Sequence, residues 1–343
     1  MPHERRFITK AEATAPFFVG VDLGGTNIKV GVVDDQGRPL SWLSVPTEVE
    51  RGPEDGTRRM GAAVLEAIGQ AGLKKKDIDF VGLGTPGTMD IPAGMLLTPG
   101  NLPGWWNFPI RDRLAEHTGL PVAFANDAGA AAYGEFWVGS GKVHHSMVLF
   151  TLGTGIGGGI IIGDLSIDGE NSAGAELGHI IIDYNNDARH CTCGKQGHLE
   201  AYASAGGVVE RAREALATGG TSSLARRLAG GEELTPLAVA EEASRGDALA
   251  HHVVMETARY LGIGAVSVMH TIDPNMVVFG GAMDFGGHET ELGRAFLERI
   301  RREVRERALP VLAEKTVIDF AALGGDAGYI GAAGVARLAY RRR

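Results

Sequence analysis

Two glycine-rich stretches carry the first chemical signal. Asp22-Leu-Gly24-Gly25-Thr26-Asn27 separates two apolar runs. Gly24 and Gly25 permit a tight turn whose backbone N–H groups can face a phosphate. Thr26 adds a hydroxyl, Lys29 a cation, and Asp22 a carboxylate able to hold water on Mg2+. An isolated Gly-Gly pair is more often an ordinary hairpin turn. The second stretch, Thr151-Leu-Gly-Thr154-Gly155-Ile-Gly-Gly-Gly, repeats the pattern with more glycine than a turn requires. Residues 153–158 and 82–87 also match G-x-G-x-x-G, the dinucleotide fingerprint. That fingerprint needs a helix at its third glycine, whereas strand-like residues follow Gly158 and a proline-containing loop surrounds Gly87. The Walker A pattern is absent from the sequence.

Ala125-Asn126-Asp127-Ala128 joins a strand-like run to a helical one. An Asx residue there is commonly only a helix cap. A carboxylate at the carboxyl end of a strand, however, lies where α/β sheets bind ligands. It can accept the proton of a hydroxyl attacking a γ-phosphate. Glu176 and His179 stand three residues apart, Glu200 follows, and Asn101 adds an amide, so several segments offer groups that hydrogen-bond a polyol. Trp105 and Trp106, beside Asn101, are expected to anchor their loop rather than stack on a sugar. Both cysteines of the chain, Cys191 and Cys193, lie one residue apart between His190 and His198. A disulfide at that spacing would be severely strained. A metal clip or two small loop residues remain, and a reducing, cytoplasmic location is the simple reading.

The elements that must position these groups follow from hydrophobic periodicity. Residues 17–37 read as strand, turn and strand; 57–72, 111–118 and 127–137 as helices; 78–84 and 121–124 as strands. Residues 85–110, rich in Pro and Gly, read as a long functional loop. The hairpin pattern recurs at 146–164, which suggests two related α/β halves. Helical patterns then span 199–217, 247–270, 289–308 and 326–340, with strands at 276–280 and 316–320. The 343 residues suffice for two or three structural units, and 51 glycines are roughly twice average usage. A net charge of −9 disfavours nucleic acid as the main partner. A polar N-terminus without an apolar core is unlike a signal peptide, and no apolar run is long enough to span a membrane.

Together the motifs resemble the ROK family of sugar kinases, within the actin-like ATPase superfamily. They run in order: VDLGGTNIKVGVVD, GLGTPGTMD, NLPGW, FANDAGAAAYGE, TLGTGIGGGIIIGD, GAELGHIIID, CTCGKQGHLEAYAS, VVFGGAM and LGGDAGYIGAAGVA. The resemblance implies an α/β fold of two actin-like (ribonuclease H-like) domains with a cleft between them, closing on ATP–Mg2+ and a hexose. The expected division is 17–125 plus 324–343 for the smaller domain, 126–323 for the larger, and a flexible lead-in over 1–16.

Carried over by motif, Asp127 would be the general base, with Asn126, Asn101, Glu176, His179 and Glu200 on the sugar hydroxyls. Asp22, Gly24, Gly25, Thr26, Lys29, Thr154 and Gly155 would line the phosphates, and Gly280 and Gly281 would lie near the adenosine. The family's structural zinc is held by an upstream histidine and three cysteines. Here His198 stands for the third cysteine, so His179, Cys191, Cys193 and His198 would form the site, with His190 as the spare ligand.

The sugar motifs look most like the glucokinase branch. Fructose, N-acetylmannosamine and N-acetylglucosamine stay as alternative substrates, and a non-catalytic sugar sensor as an alternative class. Only about 16 residues precede the first strand, which disfavours the family's DNA-binding repressors. ATP is a better expectation than polyphosphate, which would want a basic groove. Homodimers or homotetramers are expected by the same resemblance.

Overall fold

The computed structural model describes residues 5–219 and 221–343. It divides into two compact units. The first takes the chain up to His145, then Gly159–Ala175 and Leu323–Arg343; the second takes Ser146–Gly158 and Glu176–Ala322.

In the first unit, β1 (Phe17–Leu23), β2 (Asn27–Val33) and β3 (Pro39–Pro46) form an antiparallel meander. After α1 (Pro53–Gln70), β4 (Ile78–Thr85) pairs parallel with β1. A small hairpin of β5 (Thr88–Asp90) and β6 (Met95–Thr98) and α2 (Ile110–Thr118) lead to β7 (Val122–Asn126), parallel to β4, and then α3 (Asp127–Trp137). The strand order is β3-β2-β1-β4-β7. Val19, Val21, Val30, Val81 and Leu83 are fully buried, as strands covered on both faces require.

The second sheet repeats this plan. β8 (Ser146–Leu152) and β9 (Ile156–Ile162) form the second hairpin, and β10 (Leu165–Ser166) extends it. A helical stretch follows: α4 (Glu200–Ala203), α5 (Ala205–Ala217), α6 (Ser223–Ala229), α7 (Pro236–Ser244) and α8 (Ala248–Ile272). Then come β11 (Met276–Gly281), α9 (Glu291–Arg307), α10 (Pro310–Lys315), β12 (Val317–Phe320) and α11 (Ala327–Arg341). The order β10-β9-β8-β11-β12 matches that of the first sheet. This is the doubled actin-like, ribonuclease H-like fold.

Three departures from the sequence expectations have local causes. The second unit begins at Ser146 rather than at residue 126, because α3 packs on α11 and on β4 of the first sheet. The lead-in is held down from Ile8 onward: Ile8 donates its N–H to Pro39, and Thr14 donates to the buried Asp34 carboxylate. The 85–110 loop contains the β5–β6 hairpin, and the 199–217 helix breaks at Ser204, which caps α5 through the Gly207 N–H.

The closest packing of the first unit lies along α11. A Cβ placed on Gly20 of β1 would fall 1.7 Å from the Tyr329 carbonyl oxygen, and one on Gly82 of β4 1.7 Å from that of Ala332. Only glycine lets helix and sheet backbones approach this far. Gly82→Ala is expected to destabilise the chain by about 3 kcal/mol, the upper range for overpacking. Chemical denaturation checks this.

Asp34 accepts from the N–H groups of Thr14, Gln36 and Arg38 and from the Arg38 guanidinium. Burial pushes its pKa up, but these donors outweigh it and hold the carboxyl below its ordinary value. Its stabilisation is therefore complete above the ordinary carboxylate range and is lost as pH falls through the lowered pKa. Asp34→Asn should be less stable than the parent at pH 7, with the gap closing below about pH 4, as circular dichroism at stepped pH would show.

Candidate functional site

The first unit gathers Asp22, the Gly24–Thr26 turn, Asn101 and the start of α3. Gly24 donates its N–H to the Asn27 carbonyl at 2.9 Å, closing the β1–β2 turn. The buried Thr47 braces it from behind, its hydroxyl donating to the Gly24 carbonyl at 2.6 Å and its N–H to that of Thr26 at 2.8 Å. Sequence reasoning missed Thr47, which lies just beyond β3, about 20 residues along the chain from the turn it braces. A Cβ on Gly25 would meet the Asn101 carbonyl oxygen at 3.0 Å, so Asn101 lies directly against the turn. Trp105 anchors that loop: it is fully buried, and its indole N–H donates to the Val49 carbonyl at 3.2 Å. Trp106 is exposed.

Lys29 Nζ sits 3.5 Å from the Asp22 carboxylate and donates to the Gly325 carbonyl at 3.2 Å. Burial pushes the Asp22 pKa up, opposed by the Lys29 charge. A divalent cation bound there would oppose it further. A carboxylate beside a glycine turn has the hard oxygen chemistry that Mg2+ takes, and phosphates and water commonly complete such a shell. At the β7–α3 junction Asn126 is the helix cap, its Oδ1 accepting from the N–H groups of Ala128 at 2.9 Å and Gly129 at 3.1 Å. Asp127 opens the helix, with Oδ1 accepting from the Ala128 N–H at 2.8 Å.

The second unit gathers the other turn, the double glycine and the cysteine–histidine stretch. Gly153 donates to the Gly155 carbonyl at 3.0 Å, tightening the β8–β9 turn. Gly280 and Gly281 end β11 beside Thr151 and Leu152, at the same end of the sheet as that turn. Gly281 has φ +102°, and a Cβ there would lie 2.3 Å from the Leu152 carbonyl oxygen. Beyond it a cavity of about 460 Å³ is lined by Pro236, Leu237 and Ala240 of α7 and by Met283 and Phe285, with Glu241, Ser244, Arg245 and Thr290 adding polar groups. That volume suits a small organic ligand. Sequence periodicity gives no helix over α7, and with it none of this lining; the local signal is Thr235 capping Ala238 beside an N-terminal proline.

His179, Cys191, Cys193 and His198 offer ligand atoms that all lie within 4.8 Å of one another. Cys191 Sγ is 3.8 Å from His179 Nδ1, and Cys193 Sγ is 3.3 Å from His198 Nδ1. Tetrahedral zinc with thiolate and imidazole ligands has ligand–ligand edges of about 3.3–3.8 Å, so the set fits that ion. Burial lowers the His198 pKa, with His179 adding to the shift, which favours the neutral imidazole a metal needs. His190 is turned elsewhere, its Nε2 lying 3.2 Å from Gln196 Nε2. Glu200 is near: Cys191 Sγ lies 3.5 Å from its Oε1, and its Oε2 accepts the Ile156 N–H at 2.9 Å. Glu176 is exposed, on the turn that ends at His179.

Comparison with known proteins follows the same lines. Residues 18–338 match the ROK family. A glucokinase of Halalkalibacterium halodurans is 35% identical over 315 residues, 92% of this chain and 93% of that protein. The crystal structure of a ROK hexokinase from Thermus thermophilus superposes with a TM-score of 0.79 at 34% identity, covering 96% of this chain and 100% of that one. A ROK family glucokinase from Streptomyces griseus, in complex with glucose and AMPPNP, superposes at 0.75 with 35% identity, covering 94% and 100%.

The cluster generates a test of ligand identity. Protein purified without a histidine tag should carry about one zinc per chain, as four-ligand structural sites do. His198→Ala should lose it and His190→Ala should keep it, measured by elemental analysis. Equal zinc in both variants would remove His198 from the set.

Proposed function

The chain belongs to the ROK family, and on that premise we propose that it is an ATP-dependent hexose kinase that phosphorylates the 6-hydroxyl of glucose. The observation that carries the reading is the end-to-end similarity to glucokinases at 34–35% identity, over 92% of this chain. It is supported by Asp127 at the carboxyl end of a sheet strand, in a unit that also holds a glycine turn, Asp22 and Asn101.

Asp127 is the base that accepts the 6-hydroxyl proton as that oxygen attacks the γ-phosphate. Asn126 has committed its oxygen to the α3 cap, which leaves its amide N–H2 as the donor toward the sugar. Asn101, Glu176, His179 and Glu200 take the remaining hydroxyls. His179 serves two purposes without conflict, because Nδ1 faces Cys191 and Nε2 stays for a hydroxyl. Gly24, Gly25, Thr26, Thr154 and Gly155 present the phosphate turns, with Lys29 as the cation beside them. The cavity beyond Gly280 and Gly281 takes the purine and ribose. Mg2+ held through Asp22 would neutralise charge on the transferred phosphoryl group. Zinc held by His179, Cys191, Cys193 and His198 would be structural, tying the loop that bears two sugar contacts. A cytoplasmic location, where ATP is plentiful and thiols stay reduced, goes with this chemistry.

Coupled ADP-release assays over glucose, mannose, fructose, N-acetylmannosamine and N-acetylglucosamine test the reading, with glucose expected to give the highest kcat/KM. Binding of a sugar without turnover of any would support the sensor instead. Asp127→Asn should lower kcat by roughly a hundredfold or more while glucose still binds, and near-normal kcat would remove Asp127 as the base.

A further inference from the structure

Glu200 is more than a hydroxyl-binding carboxylate. Its Oε2 accepts the N–H of Ile156, the residue that follows Thr154 and Gly155 in the second glycine turn, at 2.9 Å. That oxygen presses against the turn, because a Cβ on Gly155 would stand 2.4 Å from Oε2. Its other oxygen, Oε1, accepts the hydroxyl of Thr192 at 2.9 Å, with the Cys191 sulfur farther away at 3.5 Å. A hydroxyl donating to a carboxylate makes a stronger bond than a thiol does. Thr192 sits between Cys191 and Cys193, so whatever holds the two sulfurs also places its hydroxyl. A continuous line therefore runs from the cysteine–histidine cluster through Thr192 and Glu200 to the backbone of the turn.

We propose that Thr192 is a positioning residue for the second glycine turn: by donating to Glu200 Oε1 it orients the carboxylate whose opposite oxygen fixes the Ile156 N–H. For catalysis the proposal rests on reading that turn as a phosphate loop. A loosely held Ile156 N–H lets Thr154 and Gly155 wander, and a phosphate loop acts only when its donors are already aimed. The role is distinct from binding sugar, since Oε2, which accepts the Ile156 N–H, has a second lone pair for a hydroxyl.

The test compares Thr192→Val, which keeps the shape and loses the hydroxyl, with Thr192→Ser, which keeps the hydroxyl. The wild-type chain and both variants are brought to equal zinc content. In Thr192→Val, amide exchange of the peptide spanning residues 152–158 should speed up about fivefold, the scale of one lost hydrogen bond. KM for ATP should rise by a similar factor with kcat little changed, and Thr192→Ser should restore both. Exchange in Thr192→Val equal to wild type, or a serine variant as impaired as the valine one, would overturn the proposal. If the wild-type chain phosphorylated no hexose, the kinase reading would fall while the exchange comparison still decided the role of Thr192.

Discussion

The first unit depends on how closely α11 lies against its sheet. Backbone meets backbone there: Gly20 and Gly82 face the carbonyls of Tyr329 and Ala332, and Gly331 faces that of Ala130 on α3. The chain thereby places two carboxylates with one helix. A Cβ on Gly328, in the first turn of α11, would lie 2.4 Å from Asp22 Oδ2, so the helix start borders the Asp22 carboxylate. Through Ala130 the same helix sets the position of α3, whose first residue is Asp127. Close packing without voids transmits position faithfully, which is what a site that works by alignment needs.

The second unit meets the same need by other means. Its glycine turn is held by a side-chain carboxylate, Glu200, reached from a stretch poor in regular structure. Its backbone is paired through turns and two isolated antiparallel bridges, Ile181 with His198 and His190 with Gln196, rather than through a long helix or strand, so a cross-link has most to add there. Two cysteines and two histidines supply the donor set for one. His198 keeps that set compatible with tetrahedral zinc, because imidazole and thiolate are both ordinary zinc ligands.

Much of this was legible before any coordinates. Apolar runs around Asp22–Asn27 and Thr151–Gly159 mark both hairpins, and their likeness suggests two related α/β halves, which share one strand order in the structure. Asn126 and Asp127 were legible as a strand–helix junction, though not the division of labour between cap and first helical residue, which turns on side-chain rotamers. The preference for His198 over His190 rests on the spacing that the resemblance implies, and in the structure His198 lies with His179, Cys191 and Cys193 while His190 lies beside Gln196. What stayed hidden was non-local. Thr47 reaches the first turn only because β3 lies beside β2, and the cavity needs α7 and the segment after β11, distant in sequence, to meet. Helices α6 and α7 are short and weakly periodic, so their capping residues, Ser222 and Thr235, were their clearest marks.

The central claim is transfer of a phosphoryl group from ATP to the 6-hydroxyl of glucose. Phosphorus NMR of the purified chain with ATP, Mg2+ and glucose tests it most directly. The account predicts that the γ-phosphate signal is replaced, one for one, by ADP and glucose 6-phosphate. An unchanged ATP spectrum, or a phosphate ester on any other hydroxyl, would contradict it.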